Sequence, residues 1–110
     1  MKLPYAKNVV IPKEKLVNYI LSETHPTGKF KAKIFRKIGF DESKINTFEK
    51  ELKQIADSEE IIKEITSKYG TKYIIDGQIK GSEGKAIKVR TICIIEIGEI
   101  KPRFITIYPV

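Results

Sequence analysis

Residues 72–110 read "KYIIDGQIKGSEGKAIKVRTICIIEIGEIKPRFITIYPV". Three runs stand out in it, "KYIIDGQI", "AIKVRTICIIEI" and "RFITIYPV", all rich in the β-branched and aromatic residues that suit a pleated, half-buried surface. They are separated only by the turn-prone "KGSEGK" and "GEIKP". Parallel neighbours need a crossover of a dozen or more residues, so connections this short predict an antiparallel meander. With period two, the last run puts Phe104, Thr106 and Tyr108 on one face and Arg103, Ile105 and Ile107 on the other. Ile105 and Ile107 read as the side that packs on helices, leaving the hydroxyls of Thr106 and Tyr108 on an open face.

Helical patterns lie upstream of the strands. "MKLPYAKNVV" reads as an extended arm, with Pro4 discouraging helix and Val9, Val10 and Ile11 suiting a short strand. Pro12 sits where a first helix begins, and Leu16, Val17, Ile20 and Leu21 follow on one helical face. "THPTG" ends that helix, because Pro26 holds His25 extended and Pro-Thr-Gly is turn chemistry. A second helix is predicted from about Gly28 to Ile38, stopped by Gly39. Asp41 is placed to cap a third, in which Ile45, Phe48, Leu52, Ile55 and Ala56 recur at helical spacing. "EEIIKEITSKYG" fits either an extension of that helix or a loop leading into a strand. Helices first and strands afterwards predict an α+β fold. About three N-terminal helices would pack on one face of a C-terminal antiparallel sheet of three to four strands.

Bulk properties narrow the classes of function. A chain of 110 residues suits one domain, expected to span 1–110. One cysteine, Cys93, and one histidine exclude an internal disulfide and a four-ligand Cys/His zinc site. Cys93, inside "TICIIEI", reads as a small core residue. No apolar run could span a bilayer and no signal pattern opens the chain, so the expectation is a cytoplasmic protein without a membrane partner. The net charge is +7 and the pI about 9.5. Residues 1–50 carry eleven Lys/Arg against five Asp/Glu, whereas residues 51–110 carry ten against nine. A basic N-terminal half points to an anionic partner, although Lys on every wet face gives the same count.

The basic stretch "SETHPTGKFKAKIF" and its continuation to Lys37 hold five cations within nine residues. On a wheel turning about 100° per residue, Phe30, Ile34, Ile38 and Phe35 form the core-facing arc. Lys29, Lys33, Arg36 and Lys37 fall outside it and read as a solvated face able to follow an RNA backbone. Lys31 projects inside the arc, between Ile38 and Phe35, where an ammonium must snorkel or find an anion. His25, pinned before a proline ahead of a helix N-terminus, has the residue type for general acid/base chemistry. Metal-cluster, phosphate-loop and Ser-His-Asp patterns are lacking. The catalysis that fits these residues uses no metal or other cofactor: phosphodiester cleavage through an internal 2′-hydroxyl.

The ordered motifs are His25-Pro26-x-Gly28, then Lys31-Ala32-x-x-Phe35 with Gly39-Phe40. Val89-Arg90-Thr91 follows, and then Pro102-Arg103 with Thr106 and Tyr108. Together they resemble an uncharacterised domain family of bacterial polymorphic toxins and toxin–antitoxin modules. That layout is similar to the barnase/EndoU/colicin/RelE ribonuclease superfamily, in which a His or Lys from the helices faces Thr, Tyr, Arg or Ser from the sheet. Here the aromatic usually found two residues after Val-Arg-Thr is Cys93. A lone histidine also leaves Tyr108 or Lys31 as the second proton-transfer group.

The resemblance implies a metal-independent endoribonuclease toxin with His25, Lys31, Arg90, Thr91, Thr106 and Tyr108 as catalytic candidates. Lys29, Lys33, Arg36, Lys37 and Arg103 would bind the RNA backbone, and an acidic antitoxin or immunity protein would be the partner. Two other readings stand beside it. One is a non-catalytic module that binds nucleic acid or a partner protein; the other is a homodimer formed through an open sheet edge.

Overall fold

The computed structural model describes residues 1–22, 24, 29–81 and 84–110. His25, Pro26 and Gly28 therefore lie outside the described residues. The chain begins with a 3₁₀ turn, Ala6–Asn8, and then a helical segment in two parts. Its first turn, α1, is Lys13–Lys15, and this widens into a π-helical stretch, Leu16–Ile20, closed by a bond from the Leu21 amide to the Leu16 carbonyl at 2.8 Å. Helix α2 is Lys29–Lys37. A 3₁₀ turn, Glu42–Lys44, leads into α3, Ile45–Ser58. Four strands follow, β1 (Ile61–Ser67), β2 (Gly70–Lys80), β3 (Ala86–Glu96) and β4 (Arg103–Pro109). They form one antiparallel sheet in the order β1-β2-β3-β4. The α+β arrangement expected from the sequence is the one observed, and the ambiguous "EEIIKEITSKYG" supplies the first edge strand.

Local chemistry explains where the elements stop. Past α2, Gly39 takes φ 105°, which a residue with a Cβ adopts only at a cost. Its amide bonds the Arg36 carbonyl and the Phe40 amide bonds the Phe35 carbonyl, both at 3.0 Å. This pair of bonds is the Schellman ending, and it satisfies two carbonyls that the helix would otherwise leave open. Asp41 accepts from the Ser43 amide at 2.9 Å and so caps the short 3₁₀ turn in front of α3.

The core lies between the helices and one face of the sheet. Phe48 of α3 is fully buried, with the Phe40 ring centred 4.7 Å away and that of Phe35 5.4 Å away. From the sheet come Tyr73, Ile75 and Ile79 of β2, Val89 and Cys93 of β3, and Phe104 and Ile107 of β4. Helix α3 crosses β2 closely because residue 77 is glycine; a Cβ there would lie 2.9 Å from the Ile55 side chain. Burial pushes the Cys93 thiol up to about 12, which keeps it protonated and unreactive.

Two details of the sequence reading are corrected. Period two does not hold along β4, since the register with β3 shifts between Ile92 and Cys93. Cys93 pairs with Phe104 while Ile92 pairs with Thr106, so Ile105 is the extra residue of a bulge. Phe104 thereby joins Ile107 in the core, at 2% exposure, and parts company with Thr106 and Tyr108.

The buried stripe of α2 is the second. It is Ala32, Phe35 and Ile38, whereas Phe30 is 68% exposed and Ile34 42%. Arg36 sets this rotation: its guanidinium donates twice to the Leu21 carbonyl and pairs with Glu42. On the helix wheel Lys31 sits about 40° from Phe35, inside the stripe that is in fact buried.

The edges of the sheet are covered unequally. Along β4, Val10 of the N-terminal arm makes a parallel bridge to Arg103, with the Val10 amide on the Pro102 carbonyl at 2.8 Å and the Phe104 amide on the Val10 carbonyl at 2.9 Å. At β1 the arm reaches only the start, where Lys2 bridges Glu60. The rest of β1 carries a register shift between Ile61 and Lys63 together with exposed charged side chains, features that discourage edge-to-edge pairing.

Candidate active site

Opposite the core face, cross-strand pairing lines up three side chains. Asp76 of β2 stands opposite Arg90 of β3, which stands opposite Tyr108 of β4. Arg90 donates to both carboxylate oxygens of Asp76, at 2.8 and 2.9 Å, a fork that fixes the plane of the guanidinium. Asp76 in turn is held below the usual carboxylate range, chiefly by that bond. Arg90 is held charged, first by Asp76 and to a smaller extent by the neighbouring Tyr108 hydroxyl.

Lys31 enters this row from the helical layer. Its Nζ donates to Thr106 Oγ1 at 3.3 Å and lies 5.4 Å from the ring centres of both Tyr19 and Tyr108. Thr106 and Tyr108 belong to the parity of β4 that turns away from the core, and β4 is an edge strand. The ammonium of α2 thus reaches the open face at the β4 edge, where two aromatic faces and a hydroxyl stabilise it. Among the described residues no carboxylate pairs with Lys31.

The structure therefore brings together Lys31, Arg90, Thr106 and Tyr108 of the catalytic candidates. Thr91 is elsewhere. It is 4% exposed on the core side of β3, and its hydroxyl donates to the Ile75 carbonyl at 2.8 Å. His25 lies outside the described residues. Of the backbone-binding candidates, Lys29, Lys33 and Lys37 are exposed along α2. Arg36 is committed to Leu21 and Glu42, and Arg103 to Glu96 at 3.0 Å.

Three contributors escaped the sequence reading. Tyr19, off the apolar stripe of the first helix, supplies one wall around Lys31. Lys15, one turn before it, is lowered from its ordinary value by burial and then by the Arg103 cation, while Tyr19 acts the other way. Asp76 was signalled by its type, since an acid inside "KYIIDGQI" is unusual for a strand interior and demands a partner. Among the described residues no group of three or more His, Cys, Asp or Glu could hold a metal ion.

Fold and geometry together define an α+β domain whose helical layer delivers one lysine to a row of hydroxyl and guanidinium groups on an antiparallel meander. The chain belongs to the family described as a domain of unknown function, DUF6883, whose model matches residues 2–110. Among solved structures it is similar to a chain of the contact-dependent growth inhibition toxin–immunity protein complex from Klebsiella pneumoniae 342. That likeness has a TM-score of 0.74 at 23% identity, covering 92% of this chain and 99% of that one, and it is one of fold. No curated protein matches the sequence.

Proposed function

We propose that this chain is a toxin domain that cleaves RNA by metal-independent transesterification at the Lys31 cluster. The observation that carries the reading is Lys31 itself: an ammonium held on the open face by Tyr19, Tyr108 and Thr106, with no carboxylate among the described residues to neutralise it. An uncompensated cation beside a fixed guanidinium is what a phosphodiester gaining charge in its transition state requires. The basic surface of α2, the +7 charge and the fold shared with a chain of a growth inhibition toxin–immunity protein complex support the same reading. They also support an acidic immunity protein as partner.

In this mechanism His25 accepts the proton of the RNA 2′-hydroxyl as that oxygen forms its bond to phosphorus. The bond from phosphorus to the 5′-oxygen breaks, and Tyr108 gives its hydroxyl proton to the departing oxygen. Lys31 balances the added charge on the non-bridging oxygens, Thr106 positions the ammonium, and Arg90 holds a flanking phosphate. The products are a 2′,3′-cyclic phosphate and a 5′-hydroxyl end. Incubating the purified protein with total RNA in a chelator, and mapping the ends formed, tests this directly. Cleavage that leaves cyclic phosphate ends and is lost in both His25→Ala and Lys31→Ala is expected. Intact RNA with the wild type, or undiminished cleavage by both variants, would sink it.

One observation favours binding without cleavage as the second reading. Asp76 neutralises Arg90 through a two-point bond, which leaves Lys31 as the only unpaired cation of the row. Salt-sensitive RNA binding with no products formed is the outcome that selects it.

A further inference from the structure

Phe30 has no folding role that its surroundings reveal. It is 68% exposed, on a helix whose buried stripe is already complete with Ala32, Phe35 and Ile38. Lys29 lies with its Nζ 5.3 Å from the Phe30 ring centre, and Ile34, one turn on, is 42% exposed beside it. A groove of about 370 Å³ runs along this face, lined by Lys29, Phe30, Lys33 and Arg36. Three of these four side chains are cationic, and the helix contains no acidic residue.

We propose that Phe30 is a base-stacking platform for an unpaired nucleotide next to the phosphate held at Lys31, which makes single-stranded RNA the substrate class. This rests on the reading of the Lys31 cluster as an RNA site. Three properties point to a nucleotide. Phe30 and Lys31 are consecutive, about 100° apart around the helix, so Phe30 is the groove residue nearest the cation cluster. The groove falls at the small end of the roughly 300–1,000 Å³ typical of small-ligand sites, suited to one base and its sugar. One ring and one isoleucine are also far short of the roughly 800 Å² per partner that a stable protein interface buries. A flat aromatic face with lysines around it matches the way single strands are held, the base on the ring and the phosphates on the cations. A base inside an A-form duplex has both faces occupied and cannot use it.

The test is fluorescence anisotropy with a short 2′-O-methyl oligoadenylate, which lacks the nucleophile and cannot be cut whatever the enzyme does. Phe30→Ala is expected to weaken binding roughly tenfold, within the range for losing one base–aromatic stack. Phe30→Trp should bind at least as tightly as wild type. Abasic substitutions scanned along the oligonucleotide should weaken wild type at one position and leave Phe30→Ala indifferent there. A 2′-O-methyl duplex should not distinguish the two proteins. Equal affinity of wild type and Phe30→Ala for the single strand would overturn the proposal. So would a Phe30→Ala protein that keeps its oligonucleotide affinity but loses an acidic partner protein, since the patch would then be a protein-docking surface. Because the probe is uncleavable, failure of the stacking platform is separable from failure of the cleavage mechanism, which total RNA tests by itself.

Discussion

Replacing Lys31 with Met separates what the ammonium does for the fold from what it does for the proposed chemistry. Met retains most of the apolar stem that lies in the buried stripe of α2 and deletes the charge. Two cation–π contacts are lost, at 5.4 Å from Tyr19 and Tyr108, each worth about 0.5–1 kcal/mol where the site is partly wet. The hydrogen bond to Thr106 is long, at 3.3 Å, and contributes at the low end of the range for charged donors. Against this, the half-buried ammonium no longer has to be desolvated, so the net destabilisation is about 1 kcal/mol. For a domain of this length that lowers Tm by about 4 °C. Losing the charge opposite a developing phosphorane, by contrast, removes about 2.7–4 kcal/mol from the transition state, or roughly 10²–10³-fold in rate. Thermal unfolding followed by circular dichroism gives the first quantity, and initial rates on an end-labelled RNA give the second. Lys31→Arg, which keeps the charge in another shape, should recover part of the rate. A folded Lys31→Met protein that cuts RNA within about tenfold of wild type would refute the reasoning, because the cation would then be structural only.

Thr91→Val removes a buried hydroxyl that donates to the Ile75 carbonyl at 2.8 Å; it should cost about 1 kcal/mol in denaturant unfolding and leave RNA cleavage unchanged. Gly81→Ala would put a Cβ 1.9 Å from the Ile38 carbonyl oxygen, where backbone meets backbone, and a loss of roughly 3 kcal/mol or more is expected in the same assay. Asp76 titrates below its ordinary value of 3.8 because Arg90 stabilises the carboxylate, so its contribution is present above the unfolded value and is lost as pH falls through the folded one. Tm should therefore drop on acidification below about pH 4 in wild type, and the drop should be smaller in Asp76→Asn, which lacks that titration.

The last three strands, the order of elements and the C-terminal end of α2 were legible because each depends on residues close in sequence. The turn-prone sequences that separate the last three strands, the glycine after α2 and the apolar repeat of α3 all act over a few positions. What was misread depends on pairing between distant segments. The bulge at Ile105 contains no glycine to betray it; it exists because β4 must match β3 at both Phe104 and Thr106. Likewise the rotation of α2 is set by Arg36 bonding a carbonyl fifteen residues earlier, and no helical wheel contains that carbonyl. The expected stripe of Phe30 and Ile34 was a reasonable use of periodicity, overruled by one tertiary hydrogen-bond acceptor.

These two corrections act on the same place. With strict period two, Phe104 would lie on the open face with Thr106 and Tyr108. The bulge sends Phe104 into the core and leaves the hydroxyls alone at the edge of the sheet. With the expected α2 stripe Phe30 would be hidden, whereas Lys31 falls inside the apolar arc on either reading. The observed rotation turns Phe30 outward, and Lys31 donates to Thr106. The widened π-helical stretch holds Tyr19, the remaining wall around the ammonium, and such widenings recur at functional sites. The bulge and the π-helical stretch therefore both place side chains around one lysine. A helix buried through Phe30 and Ile34 would cover more apolar surface on that side, whereas the bulge adds Phe104 to the core. Phe30, exposed, and Lys31, half-buried, are thus positions at which α2 departs from its apolar periodicity.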